Sequence, residues 1–246
     1  MSLTFSSGVV DAISFIAFGK VFSAFMTGNL VFLGLGAANA FKPGGPNLVR
    51  VGAVLVAFAL GVFIAARGIR RVRGTRLQSR TLSLALGGVL LLQVAFLAAW
   101  LVVSGHPSAT SATCLAVVEA IAMGMQSSAV GSLDVKGVFT TAATATLINL
   151  SREVADRRVS STDPARMLRI LVCLIAGALV GGLLLVNART FAPVVPPLAT
   201  ALAIAGSVAE VRAVRRGAPA NWDVFDDSQA SGLPLDGGAA SYPEAA

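Results

Sequence analysis

Five runs of this chain, 49–66, 81–103, 109–130, 167–188 and 191–209, stay apolar for about the length that a helix needs to cross a lipid bilayer. A crossing takes roughly 20 mostly apolar residues at about 1.5 Å rise each, whereas a helix on a soluble core carries only an apolar stripe. A shorter sixth run covers 3–18. Two further runs, 21–40 and 138–150, are apolar but rich in Gly and Phe or in Thr and Ala. Only 13% of the 246 residues are charged and 55% are hydrophobic, against about 25% charge in an average soluble domain. So little charge cannot cover a water-facing surface. The expected fold is an all-α polytopic membrane protein, with the lipid bilayer as its solvent.

A net charge of +7 raises the question of nucleic acid, but the arginines lie between the apolar runs, where cytoplasmic loops of membrane proteins carry them. No nucleic-acid partner is expected. Cys114 and Cys173 fall inside apolar runs, where a cysteine behaves as a small hydrophobe. His106 has no second histidine or cysteine beside it to complete a metal site. No metal, cofactor or enzymatic activity is expected. The N-terminal segment lacks a basic leader and carries Asp11 within its apolar run, which argues against a cleaved signal peptide.

Charge placement predicts the topology. Arg67, Arg70, Arg71, Arg73, Arg76 and Arg80 follow the run 49–66, and a second basic group contains Arg152, Arg157, Arg158, Arg166 and Arg169. Both groups belong on the cytoplasmic side, so an even number of crossings separates them. The runs 81–103 and 109–130 supply two, which leaves 138–150 no complete traverse. A third cluster, Arg212, Arg215 and Arg216, follows the last run. From Gly217 the composition turns to Pro, Gly, Ser, Ala and acids, so 217–246 is expected to be a disordered cytoplasmic tail.

Internal repetition supports the same status for 21–40, which is otherwise long enough to cross by itself and would then place the N-terminus outside. VFSAFMTGNLV from Val21 aligns with VFTTAATATLI from Val138 at a constant offset of 117 residues, matching Thr27 with Thr144 and Leu30 with Leu147. GVVDAISF from Gly8 and GMQSSAVG from Gly124 open comparable runs upstream, at the expense of a one-residue gap. With both short pieces as half-helices or re-entrant segments, the membrane domain 1–210 has about six crossings and both termini are cytoplasmic. Its halves, about 3–103 and 109–210, hold three crossings each. An odd number turns the second half upside down, a plan shared by many secondary transporters.

Ionisable groups within a bilayer are expensive, about 3 kcal/mol for a central Asp on insertion scales, so Asp11 and Glu119 require an explanation. Either can take up a proton from one side of the membrane and release it to the other. The competing reading is an acid that only fastens helices. Thr27, Gly28 and Asn29, together with Thr144 and Thr146, lie in the two half-helix segments, where backbone N–H groups and the helix dipole can face a polar or anionic solute. They can equally serve helix packing. Gln93 and Gln126 are polar within apolar runs, and Gln126, beside Gly124, is the better candidate. Gly177 and Gly181 form a GxxxG spacing suited to close helix contact, within the fold or between the protomers of a homodimer.

The segments GVVDAISFIAFGKVFSAFMTGNLVFLGLG and MGMQSSAVGSLDVKGVFTTAATATLINL resemble the paired signatures of the YoaK-like family of bacterial membrane proteins, over roughly residues 5–210. The second signature departs from the family pattern, with Ala145 in place of the usual Gly and Ser127 in place of the usual Asn. The resemblance implies about six spans, a bacterial cytoplasmic membrane and, through similarity to sulfate-permease-like carriers, a transporter-like architecture without a named substrate. The resulting expectation is a small carrier for a polar or anionic solute, proton coupling included. The alternative is a non-transporting membrane scaffold or regulator.

Overall fold

The computed structural model describes residues 1–38, 45–70, 78–132, 143–156 and 164–215. Among them lie eight α-helices: α1 (Ser2–Ala17), α2 (Met26–Ala37), α3 (Leu48–Arg70), α4 (Gln78–Val102), α5 (Ala109–Gly131), α6 (Ala143–Asp156), α7 (Pro164–Asn187) and α8 (Val195–Arg215). A single 3₁₀ turn (Arg189–Val194) precedes α8, and the described residues contain no strand. The chain divides into Met1–Ser207, which holds all the packing described below, and Val208–Ala246, whose described residues only end α8. The proposed tail 217–246 lies outside the described residues, as do 71–77 and 157–163 of the basic connections and 138–142 of the second short run.

Five helices are long and apolar enough to cross a membrane: Leu48–Ile69, Ser83–Val102, Ala109–Gly131, Pro164–Asn187 and Arg189–Ala209. They coincide with the five runs read from the sequence. The run 21–40 is helical only from Met26, giving α2 12 residues, or about 18 Å, too short for a hydrocarbon core of about 30 Å. The chain breaks before it because Gly19 (φ +78°) and Lys20 (φ 61°) adopt the left-handed conformation, which ends α1. The 3₁₀ turn accommodates Pro193, and Pro196 and Pro197 sit in the first turn of α8, where missing N–H groups are tolerated.

Helix α5 lies at the centre: half of its residues are buried, against a third or less in the other four long helices. It packs on α3, α4 and α1, while α7 packs on α1 and α6. The tightest contacts occur at glycines. A methyl group on Gly8 of α1 would strike the Leu174 carbonyl and the Ala178 amide of α7, and one on Gly177 would strike the Phe5 carbonyl. On the other pair, a methyl on Gly124 of α5 would strike the Phe58 carbonyl and Val62 amide of α3, and one on Gly61 would strike the Ile121 carbonyl. These are the same contacts shifted by 116 residues (5 to 121, 8 to 124, 58 to 174, 61 to 177, 62 to 178), so α1 on α7 and α5 on α3 are equivalent crossings. Gly177 and Gly181 both face α1, so the GxxxG spacing serves a contact inside the chain.

Hydrogen bonds fix the relative direction of α1 and α5. Near the start of α1, the Gln126 Nε2 of late α5 donates to the Leu3 carbonyl (3.3 Å) and to Ser7 Oγ (3.1 Å). At the other end, the Arg50 guanidinium donates to the Phe18 carbonyl that closes α1, to the Ala109 carbonyl at the start of α5 (2.8 Å) and to Thr113 Oγ1 (2.9 Å). The start of one helix meets the end of the other at both points, so α1 and α5 run antiparallel.

The outward face of the bundle is apolar. On α7, Leu168, Val172, Ile175, Leu179, Leu183 and Val186 are all more than half exposed at helical spacing, a continuous stripe that water would not support and lipid does.

Candidate functional site

The polar side chains singled out above fall into three groups. The first surrounds the break between α1 and α2. Asp11 Oδ1 accepts from the backbone N–H of Ala24 (2.7 Å) and of Phe25 (3.3 Å), and the buried Ser14 and Ser23 hydroxyls share a 2.7 Å bond. From the other side, Asn29 accepts from the Phe22 N–H (3.0 Å) and donates to the Phe22 carbonyl (2.6 Å). Backbone groups buried without partners are costly in any apolar medium and most of all in lipid, so these side chains supply what helical bonding would have provided. Gly28 lies under the Phe22 and Phe25 rings, and Thr27 is exposed.

Asn29→Leu is expected to free both Phe22 groups and lower stability by about 1–3 kcal/mol per unpaired group, measured by denaturant titration in detergent. Asn29→Asp keeps the acceptor and loses the donor, so it should fall between the two. A wild-type unfolding midpoint for Asn29→Leu would remove Asn29 from this role.

On α6, Thr146 is fully buried and Thr144 exposed. Their counterparts 117 residues earlier, Asn29 and Thr27, divide in the same way, as do the exposed pairs Leu30 with Leu147 and Val31 with Ile148. The two short helices thus present equivalent faces, although the residues leading into α6 lie outside the described part.

The second group links α5 to α4, and α4 to α8, through side chains. Glu119, at the middle of α5, is 1% exposed, and neither carboxyl oxygen has a hydrogen-bond partner. Gln93 of α4 is fully buried and lies beside this carboxyl, though no bond of normal geometry closes the pair. The Gln93 Oε1 accepts from Thr200 Oγ1 of α8 (2.7 Å), which leaves its Nε2 unpartnered. Asp11 is near enough to interact with Glu119 electrostatically. The third group is Gln126 with Ser7 and Leu3; there the Gln126 Oε1 and the neighbouring Ser6 hydroxyl lack partners.

The two carboxylates therefore differ in kind. Asp11 is engaged with backbone amides beside the start of α2, and Glu119 is engaged with nothing that donates in normal geometry. Sequence reasoning noted Gln93 without ranking it as a site residue, and passed over Thr200 and Arg50. A lone Thr three residues beyond a double proline carries no pattern of its own. Arg50 stands at the edge of an apolar run, where arginines usually reach water, yet it is buried and each of its three side-chain nitrogens donates, to Phe18, Ala109 and Thr113. Among the described residues, no three His, Cys, Asp or Glu side chains gather to hold a metal ion.

Residues 1–207 match the model of a family described as "Protein of unknown function (DUF1275)". A relative from Bacillus subtilis (strain 168), "UPF0700 transmembrane protein YoaK", is 31% identical over 156 residues, covering 63% of this chain and 65% of its own length. The match thus spans just under two thirds of the curated relative. No solved structure matches the chain. The resemblance carried by the Asp11 and Thr27–Gly28–Asn29 signature agrees with both findings, and the chain belongs to the DUF1275 family as a YoaK-like multi-pass transmembrane protein.

Proposed function

We propose that this protein is a small secondary carrier of the bacterial cytoplasmic membrane, moving a small polar or anionic solute, with both termini and its arginine-rich connections on the cytoplasmic side. The observation that supports this reading most is the pairing of equivalent helices in opposite directions. Helix α1 and its counterpart α5 run antiparallel, their contacts with α7 and α3 recur 116 residues apart, and each half contains one helix of 14 residues or fewer, α2 or α6. With α1 as a short sixth crossing, that is the plan of an inverted-topology repeat, which lets one half rock against the other around a site near mid-membrane. Glu119 lies at such a depth with unmatched acceptor oxygens. Asp11 holds the entry to α2, and Glu119 carries the coupling.

The test is flux into liposomes containing the purified full-length chain, across a panel of labelled small polar and anionic solutes. At least one solute should enter faster than into protein-free vesicles, and Glu119→Gln should reduce that rate at least tenfold while the protein stays folded. Uptake at the protein-free rate for every solute would sink the carrier reading and leave the scaffold as the better account.

A further inference from the structure

We infer that Glu119, with Gln93 and Thr200 as its fixed neighbours, forms a proton-binding site that loads and unloads during the protein's cycle. This deepens the carrier reading and rests on it only for its purpose, since the site stands on its own geometry. A fully enclosed carboxyl with two bare oxygens cannot keep a lone negative charge in lipid. It must hold something that donates, and the packing at mid-helix leaves little room: Glu119 is 1% exposed and Gln93 beside it is fully buried. A proton meets that need. It converts one oxygen to a hydroxyl and leaves the other to face the unpartnered Gln93 Nε2. On release the proton passes to water admitted by a shift of the helices, and the Gln93 amide turns its free N–H onto the carboxylate.

Gln93 is fitted for both states because its Oε1 is already occupied by Thr200. Its amide is therefore oriented with Nε2, the donor, available to Glu119. The bond also ties α8, from the second half of the chain, to α4, from the first, so the state of Glu119 is felt where the two halves meet. The charged groups that face the site from the helices packed on α5 are few. Helix α1 contributes Asp11, like-charged and held by the Ala24 and Phe25 amides. Helix α3 contributes Arg50, each of whose three nitrogens donates elsewhere, to Phe18, Thr113 and Ala109. Residues 83–102 of α4 and 195–207 of α8 contain no ionisable side chain. Among the described residues no cation donates to Glu119, which makes a proton the simplest occupant.

Dicyclohexylcarbodiimide, a hydrophobic reagent that attacks protonated carboxyl groups, tests this without knowledge of any solute. The full-length protein in detergent is treated across a range of pH and the adducts are located by peptide mass spectrometry. We expect an adduct on Glu119 whose yield falls about tenfold for each pH unit beyond its midpoint, as for a single acid. Gln93→Leu removes the donor that favours the charged form, so labelling should persist to higher pH. Gln126→Leu, on the same helix but in another group, should leave the midpoint unmoved. No Glu119 adduct in folded wild-type protein, or a yield flat across pH, would overturn the proposal, the second result marking Glu119 as a permanent fastener. If labelling titrates but no solute moves in liposomes, the proton site stands and the carrier reading fails; the reverse pattern isolates the opposite failure.

Discussion

Arg50→Ala is expected to lower the stability of the folded protein by about 3–5 kcal/mol, the scale for losing two or three hydrogen bonds from one charged donor. Arg50 is 8% exposed and its guanidinium joins three elements: the Phe18 carbonyl just past α1, the start of its own helix α3 and the first turn of α5. Two of its acceptors are backbone carbonyls, and that of Phe18 lies just past the end of α1, where carbonyls lack helical donors; a hydrogen bond from a charged donor contributes about 1.5–3 kcal/mol. Arg50→Lys cannot reproduce the fork that reaches Phe18, Thr113 and Ala109 together, so it should recover less than half of the loss. Denaturant titration of the purified protein in detergent measures both. A change under about 1 kcal/mol for Arg50→Ala would show that Arg50 does not secure this end of the bundle.

A second large effect is expected at the glycine crossings. Gly8→Leu and Gly124→Leu should each lower stability by about 3 kcal/mol or more, beyond the usual range for overpacking, because the obstacle is backbone that cannot rotate away. The Gly8 methyl position meets Leu174 and Ala178, and the Gly124 position meets Phe58 and Val62. As equivalent crossings, the two substitutions should also agree with each other within about 1 kcal/mol. Gly182→Leu and Gly87→Leu provide the comparison: both positions face open space and should change stability by less than about 0.5 kcal/mol. Unfolding midpoints for the four variants decide the matter. A large loss at Gly8 with none at Gly124 would remove the equivalence on which the two-fold plan depends.

Much of this fold was legible in the sequence because lipid leaves a chain few options. An unpaired peptide group has no water to turn to, so a crossing must be a long apolar helix, and each of the five expected runs coincides with one. The break in 21–40 was legible for a different reason. Its Thr27–Gly28–Asn29 signature recurs in altered form 117 residues later, in a segment that the basic loops leave no room to cross, although the length of 21–40 alone would have permitted a crossing. The departure of the second copy, Ala145 and Ser127, was legible as well, and Ser127 donates to the Met123 carbonyl within its own helix (2.8 Å) where the equivalent Asp11 reaches the next segment.

What the sequence by itself determined was which segments enter the membrane, how they repeat, and that Asp11 and Glu119 were too expensive there to be incidental. It could not assign those two acids different tasks, because apolar context looks the same along the chain whether a side chain meets backbone amides or nothing. Only the tertiary structure decided that. Asp11 reaches Ala24 and Phe25 because α1 ends in a left-handed turn that folds the chain back beside it. Glu119 is left without a donor, beside a glutamine of α4 whose own bond goes to a threonine 107 positions away. Hydrogen-bond partners so far apart in the chain are chosen by packing, and no local pattern records them.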